Sequence, residues 1–211
     1  MLHIKVPATS ANMGPGFDCA GIALQLYNEI WVETIPSGIE ISSKTNENIP
    51  KDESNLIYST IRDFYEAENI PMPGIRLIQD DHIPMTRGLG SSAACIVGGL
   101  IAANILSGKN YSKEELAQKA AKLEGHPDNS NPAIFGDMII SAMYSEGMKY
   151  VKLNVPKNIL FAVMIPEFTL STKKARAVLP DSYTRSQSIF NSSRTGLMVA
   201  SMMTGNLDNL R

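Results

Sequence analysis

Apolar and polar residues alternate in several short runs of the chain, and this pattern predicts β-strands. The expected strands cover residues 3–6, 30–34, 39–42, 75–79, 138–142, 150–153 and 160–165. We expect Pro7 to end the first strand, because proline has no backbone N–H to donate. Pro36-Ser37-Gly38 is a turn sequence, and it predicts a hairpin between the second strand and the third.

A different period, with apolar residues three and four positions apart, predicts helices between and after these strands. One helix carries Ile57 and Ile61 and begins after the capping pair Ser54-Asn55. A second opens after the glycine-rich residues 88–92, and a third runs from a capping box at Ser112 to about Glu124. Helices are also expected from about residues 171 and 182. Strands that precede interleaved helices indicate an α+β fold rather than a doubly wound sheet.

Composition narrows the class of protein further. The 211 residues are 44% hydrophobic and 19% charged, with a net charge of −2, as in globular domains. This length allows one large domain, or one domain and part of another. No apolar run approaches the ~18 residues of a membrane span, and no basic block is present to bind nucleic acid. The N-terminus lacks the features of a signal peptide, so we expect a cytoplasmic protein without membrane or nucleic-acid partners.

The most informative stretch is residues 84–94, PMTRGLGSSAA. Glycines let the backbone curl around a ligand, and small residues at a helix start let an anion approach free N–H groups. These are the requirements of a phosphate-binding loop. The stretch is not a Walker A motif, and it fits only a loose GxGxxA form of the dinucleotide fingerprint. An ordinary helix cap remains the alternative.

Each of the other candidate residues, taken alone, gives only weak evidence for a function. Glu124 and a loop serine would suit Mg²⁺, which prefers hard oxygen ligands, although a solvated helix end is the alternative. Asn12 and Asp18 flank a Gly-Pro-Gly turn, where turn chemistry would also explain them. Thr172 and Arg176 share a helix face, and the arginine is suited to a carboxylate or phosphate. GxSxG is absent, which disfavours a serine hydrolase.

Four segments of the sequence, taken together, are specific to one family of proteins. They are PATSANMGPGFDCAG (7–21), PMTRGLGSSAA (84–94), EGHPDNSNPAIFG (124–136) and LSTKKARAVLP (170–180). In this order the sequence resembles the GHMP small-molecule kinases, and among them it looks like the homoserine kinases. The resemblance extends over the whole chain.

The resemblance implies a two-domain α+β fold. Residues 1–155 would form the N-terminal ATP-binding domain, with a ribosomal-protein-like β/α topology. Residues 156–211 would begin a ferredoxin-like α+β C-terminal domain. The glycine-rich GxGPT-like third motif of the superfamily is absent, as is a second substrate-binding arginine beyond it, so we expect this second domain to be incomplete.

The resemblance also implies a reaction, in which the γ-phosphoryl group of ATP passes to the side-chain hydroxyl of L-homoserine in threonine biosynthesis. Mg²⁺ would be held by Ser92 and Glu124. The homoserine pocket would consist of Asn12, Asp18, His126, Asn129, Thr172 and Arg176, with Asp18 on the ammonium and Arg176 on the carboxylate. ATP would contact Asn55 through its adenine and, through its phosphates, Pro84, Met85, Thr86, Arg87, Gly88, Leu89, Gly90, Ser91, Ser92, Ala93 and Ala94.

No catalytic base is assigned, because homoserine kinases are thought to act without one. Asp128 is the nearby carboxylate that would challenge this view. A homodimer is consistent with the resemblance. Two alternative functions stay open, namely a GHMP kinase for another small alcohol and a nucleotide-binding module without turnover.

Overall fold

Six strands and six helices make up the part of the chain described by the structure, a computed structural model. It describes residues 1–165, 167–168 and 172–210, with the backbone alone at 172 and 173. In chain order the elements are β1 (Leu2–Ala11), β2 (Ala20–Ile35), β3 (Ile39–Ser43), α1 (Leu56–Ala67), β4 (Gly74–Asp80), α2 (Ser91–Ser107), α3 (Lys113–Glu124), α4 (Ser130–Phe135), β5 (Met138–Tyr144), β6 (Gly147–Leu153), α5 (Thr172–Arg176) and α6 (Arg185–Thr204).

The long strand β2 organises the sheet. Its second half pairs with β4 and its first half with β5, while β1 runs along its other side. All pairs are antiparallel except β3 with β4. Alternate residues of β1, among them Ile4 and Val6, are buried in a core shared with α1 and α2, whereas His3 and Lys5 are exposed. The α+β class predicted from the sequence is confirmed.

Three strand predictions are wrong in detail. β1 continues through Pro7 to Ala11 because β1 lies at the edge of the sheet, where a missing N–H is tolerated, and the register shifts just after the proline. β2 and β3 do not form a hairpin, since β3 pairs in parallel with β4. Residues 160–165 are not a strand in the described structure.

The helix predictions hold well, because their signals are local. The Asn55 side chain caps α1 by accepting from the N–H groups of Ile57 and Tyr58. Ser112 and Glu115 form the expected capping box of α3, and Gly125 ends that helix in the left-handed conformation. Short α4 was not predicted.

The C-terminal helix α6 is joined to the sheet by a second, smaller core. Its Met198 and Met202 are buried against Ile22 of β2 and Met138 of β5. In the residues that the structure describes, no helix combines the length and the apolar character needed to cross a membrane.

Candidate functional site

The glycine-rich loop between β4 and α2 lies directly on strand β1. Gly88 and Gly90 have φ values of +72° and +68°, and Gly90 is the N-cap of α2. The carbonyl of buried Leu89 accepts from the Thr9 N–H at 3.1 Å. A Cβ added to Gly90 would lie 2.0 Å from Thr9 Oγ1, so no side chain fits there. The loop therefore has a fixed backbone path into the start of a helix.

Side chains also hold the segments around this loop. Asn28, only 2% exposed, accepts from the N–H groups of His82 and Ile83 at 2.8 Å each. At the other side, Arg87 donates to the carbonyl of Glu167 at 2.7 Å. The loop backbone is thus held in place before any ligand is bound, which lowers the entropy lost on binding.

Thr9 joins the glycine-rich loop to the segment that follows α3. Its hydroxyl donates to Asn129 Oδ1 at 2.8 Å, and the same Oδ1 would be 3.1 Å from a Cβ on Gly90. The candidate phosphate loop and a candidate homoserine residue are therefore neighbours. Thr9 is fully buried and was not singled out in the sequence, although it lies within the first motif.

The Gly-Pro-Gly turn presents Asp18 at the end of a strained loop. Asn12, Met13 and Asp18 have φ values of +67°, +47° and +55°. Asn12 Oδ1 accepts from the Asp18 N–H at 3.0 Å. Asn12 therefore shapes the turn through its side-chain oxygen. Its amide nitrogen bonds no residue that the structure describes, so it is available to a ligand.

Asp18 and Arg176 form an ion pair with two hydrogen bonds. Arg176 Nη1 donates to Asp18 Oδ2 at 2.9 Å, and Nη2 donates to Oδ1. The guanidinium also lies 5.0 Å from the centre of the Phe17 ring. Both side chains are more than a third exposed, so the pair is accessible to solvent and to a ligand.

His126 and Asp128 lie beside this pair. His126 Nδ1 is 2.7 Å from Asp128 Oδ1, and Asp128 is only 2% exposed. The hydrogen bond to Asp128 raises the pKa of His126. Asp18, His126 and Asp128 each place one ligand atom within 4.8 Å of the others, a spacing that a divalent cation could also bridge.

Glu124 ends helix α3 close to this group. Its Oε2 is buried and finds no hydrogen-bond partner among the described residues. Burial raises the pKa of Glu124 to about 7, and the nearby His126 partly opposes that rise. Ser92, on the first turn of α2, is exposed. The side chain of Thr172 lies outside the described residues, although its backbone begins α5.

Asn55, the predicted adenine contact, is bonded within the protein. The side chain is 2% exposed, and its Oδ1 caps α1. Its Nδ2 donates to the Pro50 carbonyl at 2.9 Å and to Gln79 Oε1 at 2.6 Å. The side chain therefore caps α1, and its contact with adenine stays a prediction.

A family model and the sequences of known proteins both relate this chain to the same group of kinases. The family model for the GHMP kinases N terminal domain matches residues 55–137. The homoserine kinase of Caldicellulosiruptor saccharolyticus is 46% identical over 211 residues, covering 100% of this chain and 68% of that protein. The homoserine kinase of Clostridium novyi is 46% identical over 213 residues, covering 100% of this chain and 71% of that protein.

Solved structures agree with these sequence relatives. A putative homoserine kinase from Listeria monocytogenes superposes with a TM-score of 0.83 at 32% identity, over 98% of this chain and 70% of that one. The mevalonate kinase of Methanococcus jannaschii, at 16% identity and a TM-score of 0.57, covers 72% of this chain and 56% of its own, and shares the fold alone. The chain belongs to the homoserine kinase family of the GHMP kinases.

Proposed function

We propose that this protein transfers the γ-phosphoryl group of ATP to the side-chain hydroxyl of L-homoserine, giving O-phospho-L-homoserine for threonine biosynthesis. The observation that carries the proposal is the contact of the glycine-rich loop with the motif segment 124–136, made through Thr9 and Asn129. A kinase must bring a phosphate-binding loop next to an acceptor pocket, because positioning supplies much of the rate enhancement in phosphoryl transfer.

The phosphates of ATP are assigned to residues 84–94. The first N–H groups of α2 have no partner within the helix, and the positive end of the helix dipole favours an anion. Ser91, Ser92, Ala93 and Ala94 are small, which supports a close approach of the phosphates. Membership of a kinase family supports the use of ATP.

The pocket residues match the charges of an amino acid. Homoserine carries an ammonium, which suits Asp18, and a carboxylate, which suits the fork of Arg176. Asn12 and His126 add polar groups near Asp18, and Asn129 adds one beside the glycine-rich loop. Thr172 is included because its motif position matches the family. Asp18 and Arg176 already pair with each other, so a zwitterion can replace each partner with a group of like charge.

Mg²⁺ fits the residues that are present. The buried Oε2 of Glu124, which has no hydrogen-bond partner among the described residues, is a hard ligand. The raised pKa of this carboxyl group is expected for a buried cation ligand when no cation is bound. Ser92 would supply a second oxygen from the first turn of α2. When bound, the ion would neutralise the charge that develops on the phosphates.

The proposal assigns no general base. Asp128 is nearly buried and already bonded to His126, so it is poorly placed to take the proton of the acceptor hydroxyl directly. A loose transition state tolerates this arrangement, because it needs charge stabilisation more than early deprotonation.

A coupled assay for ADP release from Mg·ATP tests the function, with L-homoserine compared with L-serine, L-threonine and mevalonate. Release that depends on homoserine is expected. Release with mevalonate instead would indicate a kinase for another alcohol, and nucleotide binding without release would indicate a module without turnover.

The proposal also includes a domain boundary, a cellular location and an oligomeric state. A domain boundary near residue 155 is supported by the end of the sheet at Leu153, after which the described residues form only helices as regular elements. A cytoplasmic location without membrane or nucleic-acid partners follows from the chemistry of the substrates. A homodimer is the assembly consistent with the resemblance, and light scattering on a sizing column tests it.

A further inference from the structure

Asp128 is a buried carboxylate that the proposed reaction does not use directly. It is 2% exposed, whereas the side chain of its partner His126 is 20% exposed. His126 Nδ1 lies 2.7 Å from Asp128 Oδ1, and because an ionised carboxylate only accepts hydrogen bonds, Nδ1 would be the donor to that form. This contact leaves Nε2 as the nitrogen free to meet a ligand.

The backbone of Asp128 is fixed against the centre of the sheet. A Cβ added to Gly21 of β2 would lie 1.7 Å from the Asp128 carbonyl oxygen, which shows how closely the two chains meet. One residue earlier, the Pro127 carbonyl accepts from the Asn131 N–H at 3.0 Å. The carboxylate therefore projects from a rigid point.

His126 has weaker backbone support. It follows Gly125, which ends α3 in the left-handed conformation with φ of +81°, and it lies in the short loop between two helices. The bond to Asp128 is the one hydrogen bond of the imidazole among those of the described residues. Without it, the ring could rotate about its side-chain bonds and exchange its two nitrogens.

We infer that Asp128 is a positioning residue that acts through His126, by accepting the Nδ1 hydrogen and so presenting Nε2 to the alcohol substrate. This role rests on the proposed function, in which His126 contacts homoserine. Asp18 lies within the same 4.8 Å cluster, so the imidazole of His126 stands beside the region where the amino-acid part of the substrate would be held. A catalytic base at Asp128 is a different role, and it predicts different kinetics.

Steady-state kinetics of the full chain distinguish these roles. Asp128→Ala and His126→Ala should each raise the KM for homoserine by about 10-fold, the size of one hydrogen bond, and leave the KM for ATP unchanged. The double variant should be no worse than either single one, because both remove the same contact. Asp128→Asn keeps an acceptor oxygen, so its rise in KM should be at least about threefold smaller than that of Asp128→Ala.

Other results would overturn the inference. Additive effects of the two alanine variants would mean that Asp128 does not act through His126. A fall in kcat of about 100-fold or more in Asp128→Asn, with KM unchanged, would instead indicate a general base. Glu29→Ala is the matched control, because Glu29 forms a His–carboxylate pair of the same 2.7 Å length with His3 at an exposed position. It should change neither KM.

A spectroscopic measurement keeps the inference testable when the wild-type chain shows no turnover. Nitrogen NMR of labelled protein should show that neutral His126 carries its proton on Nδ1, and that Asp128→Ala mixes the two tautomers. A wild-type Nε2–H tautomer would contradict the inference whatever the activity. If the wild type is active and Asp128→Ala has the same KM for homoserine, the inference is wrong and the proposed function stands. If the wild type shows no turnover with homoserine, that result counts against the proposed function. If Asp128→Ala does not fold, the kinetics of Asp128→Asn and the tautomer of His126 in the wild type still test the inference.

Discussion

Asp18 and Arg176 are 158 positions apart in the sequence and form a fork-shaped ion pair at the end of the Gly-Pro-Gly turn. The pair links the loop between β1 and β2 to the end of α5, and each of its two charges is one that an amino-acid substrate needs as a partner. A ligand that has only an ammonium or only a carboxylate would leave one member of the pair without a partner. A zwitterion would satisfy both, so the pair favours amino acids over simple alcohols.

Replacing either member should weaken homoserine binding. Arg176→Ala and Asp18→Ala should each raise the KM for homoserine by about 10- to 100-fold, the range for losing a hydrogen-bonded charge, and leave the KM for ATP within about twofold. Initial rates with each substrate varied in turn measure both constants. Arg62→Ala is a matched control, because Arg62 pairs with exposed Asp63 on α1. Equal changes in both KM values would contradict a substrate-specific role.

Gly88 and Gly90 of the glycine-rich loop should differ sharply when each is replaced by alanine. At Gly88 a Cβ meets no atom within 4 Å, so Gly88→Ala carries only the strain of its positive φ, about 1 kcal/mol. At Gly90 the Cβ would clash with Thr9 and displace the loop. The Kd for nucleotide should therefore rise at least 10-fold more in Gly90→Ala than in Gly88→Ala. Titration with a fluorescent ATP analogue, with melting curves for both variants, checks this. Equal losses would mean that the loop path at Gly90 is unimportant.

Glu124 should make stability depend on pH in the absence of Mg²⁺. Burial raises its folded pKa from the usual 4.5 to about 7, so the fold favours the neutral acid. Its ionised form therefore costs stability as pH rises from about 4.5 to about 7, and the cost is complete above that range. Because this is about 2.5 pKa units, Glu124→Gln should be more stable than wild type by ~3 kcal/mol at pH 8 and nearly equal at pH 4.5.

Urea unfolding at the two pH values measures this difference. Mg²⁺ with ATP should stabilise the wild type at pH 8 more than it stabilises Glu124→Gln, since the variant lacks the charge that holds the ion. If Glu124→Gln is less stable than wild type at pH 8, the side chain is not an uncompensated buried acid.

Glu68 should show the opposite dependence on pH. Its carboxylate accepts from Lys119 at 2.9 Å and from Tyr111 at 2.8 Å, and Lys109 lies at 3.0 Å. The hydrogen bond from Lys119, then those from Tyr111 and Lys109, lower its folded pKa to about 2. Since that value is depressed, the stabilisation is present above pH 4.5 and is lost as pH falls toward 2.

Glu68→Gln should therefore have a lower urea midpoint than wild type at pH 7, with the two curves converging near pH 2. Circular dichroism at several pH values gives the midpoints. Glu66→Gln is the control from the end of α1, where Glu68 is the C-cap residue, since the Glu66 side chain is 70% exposed and lies 3.8 Å from Arg62. A difference between Glu68→Gln and wild type that persists unchanged at pH 2 would show that charge is not the cause.

Local signals in the sequence were sufficient for every described helix except short α4, and for the identity of the candidate segments. The cap at Asn55, the capping box at Ser112 and the left-handed Gly125 all lie where the sequence predicts, because each depends on hydrogen bonds within a few residues. The motif segments indicated the family correctly for a similar reason, since each is a continuous stretch of chain.

Contacts between distant segments were decided only by the tertiary structure. The parallel pairing of β3 with β4, the course of β1 through Pro7 and the commitment of Asn55 to Gln79 all depend on neighbours far away in the sequence. The same is true of the bond from Thr9 to Asn129 and of the pair between Asp18 and Arg176. Periodicity and capping report short-range geometry, whereas strand partners and buried polar contacts depend on which surfaces the whole chain brings together.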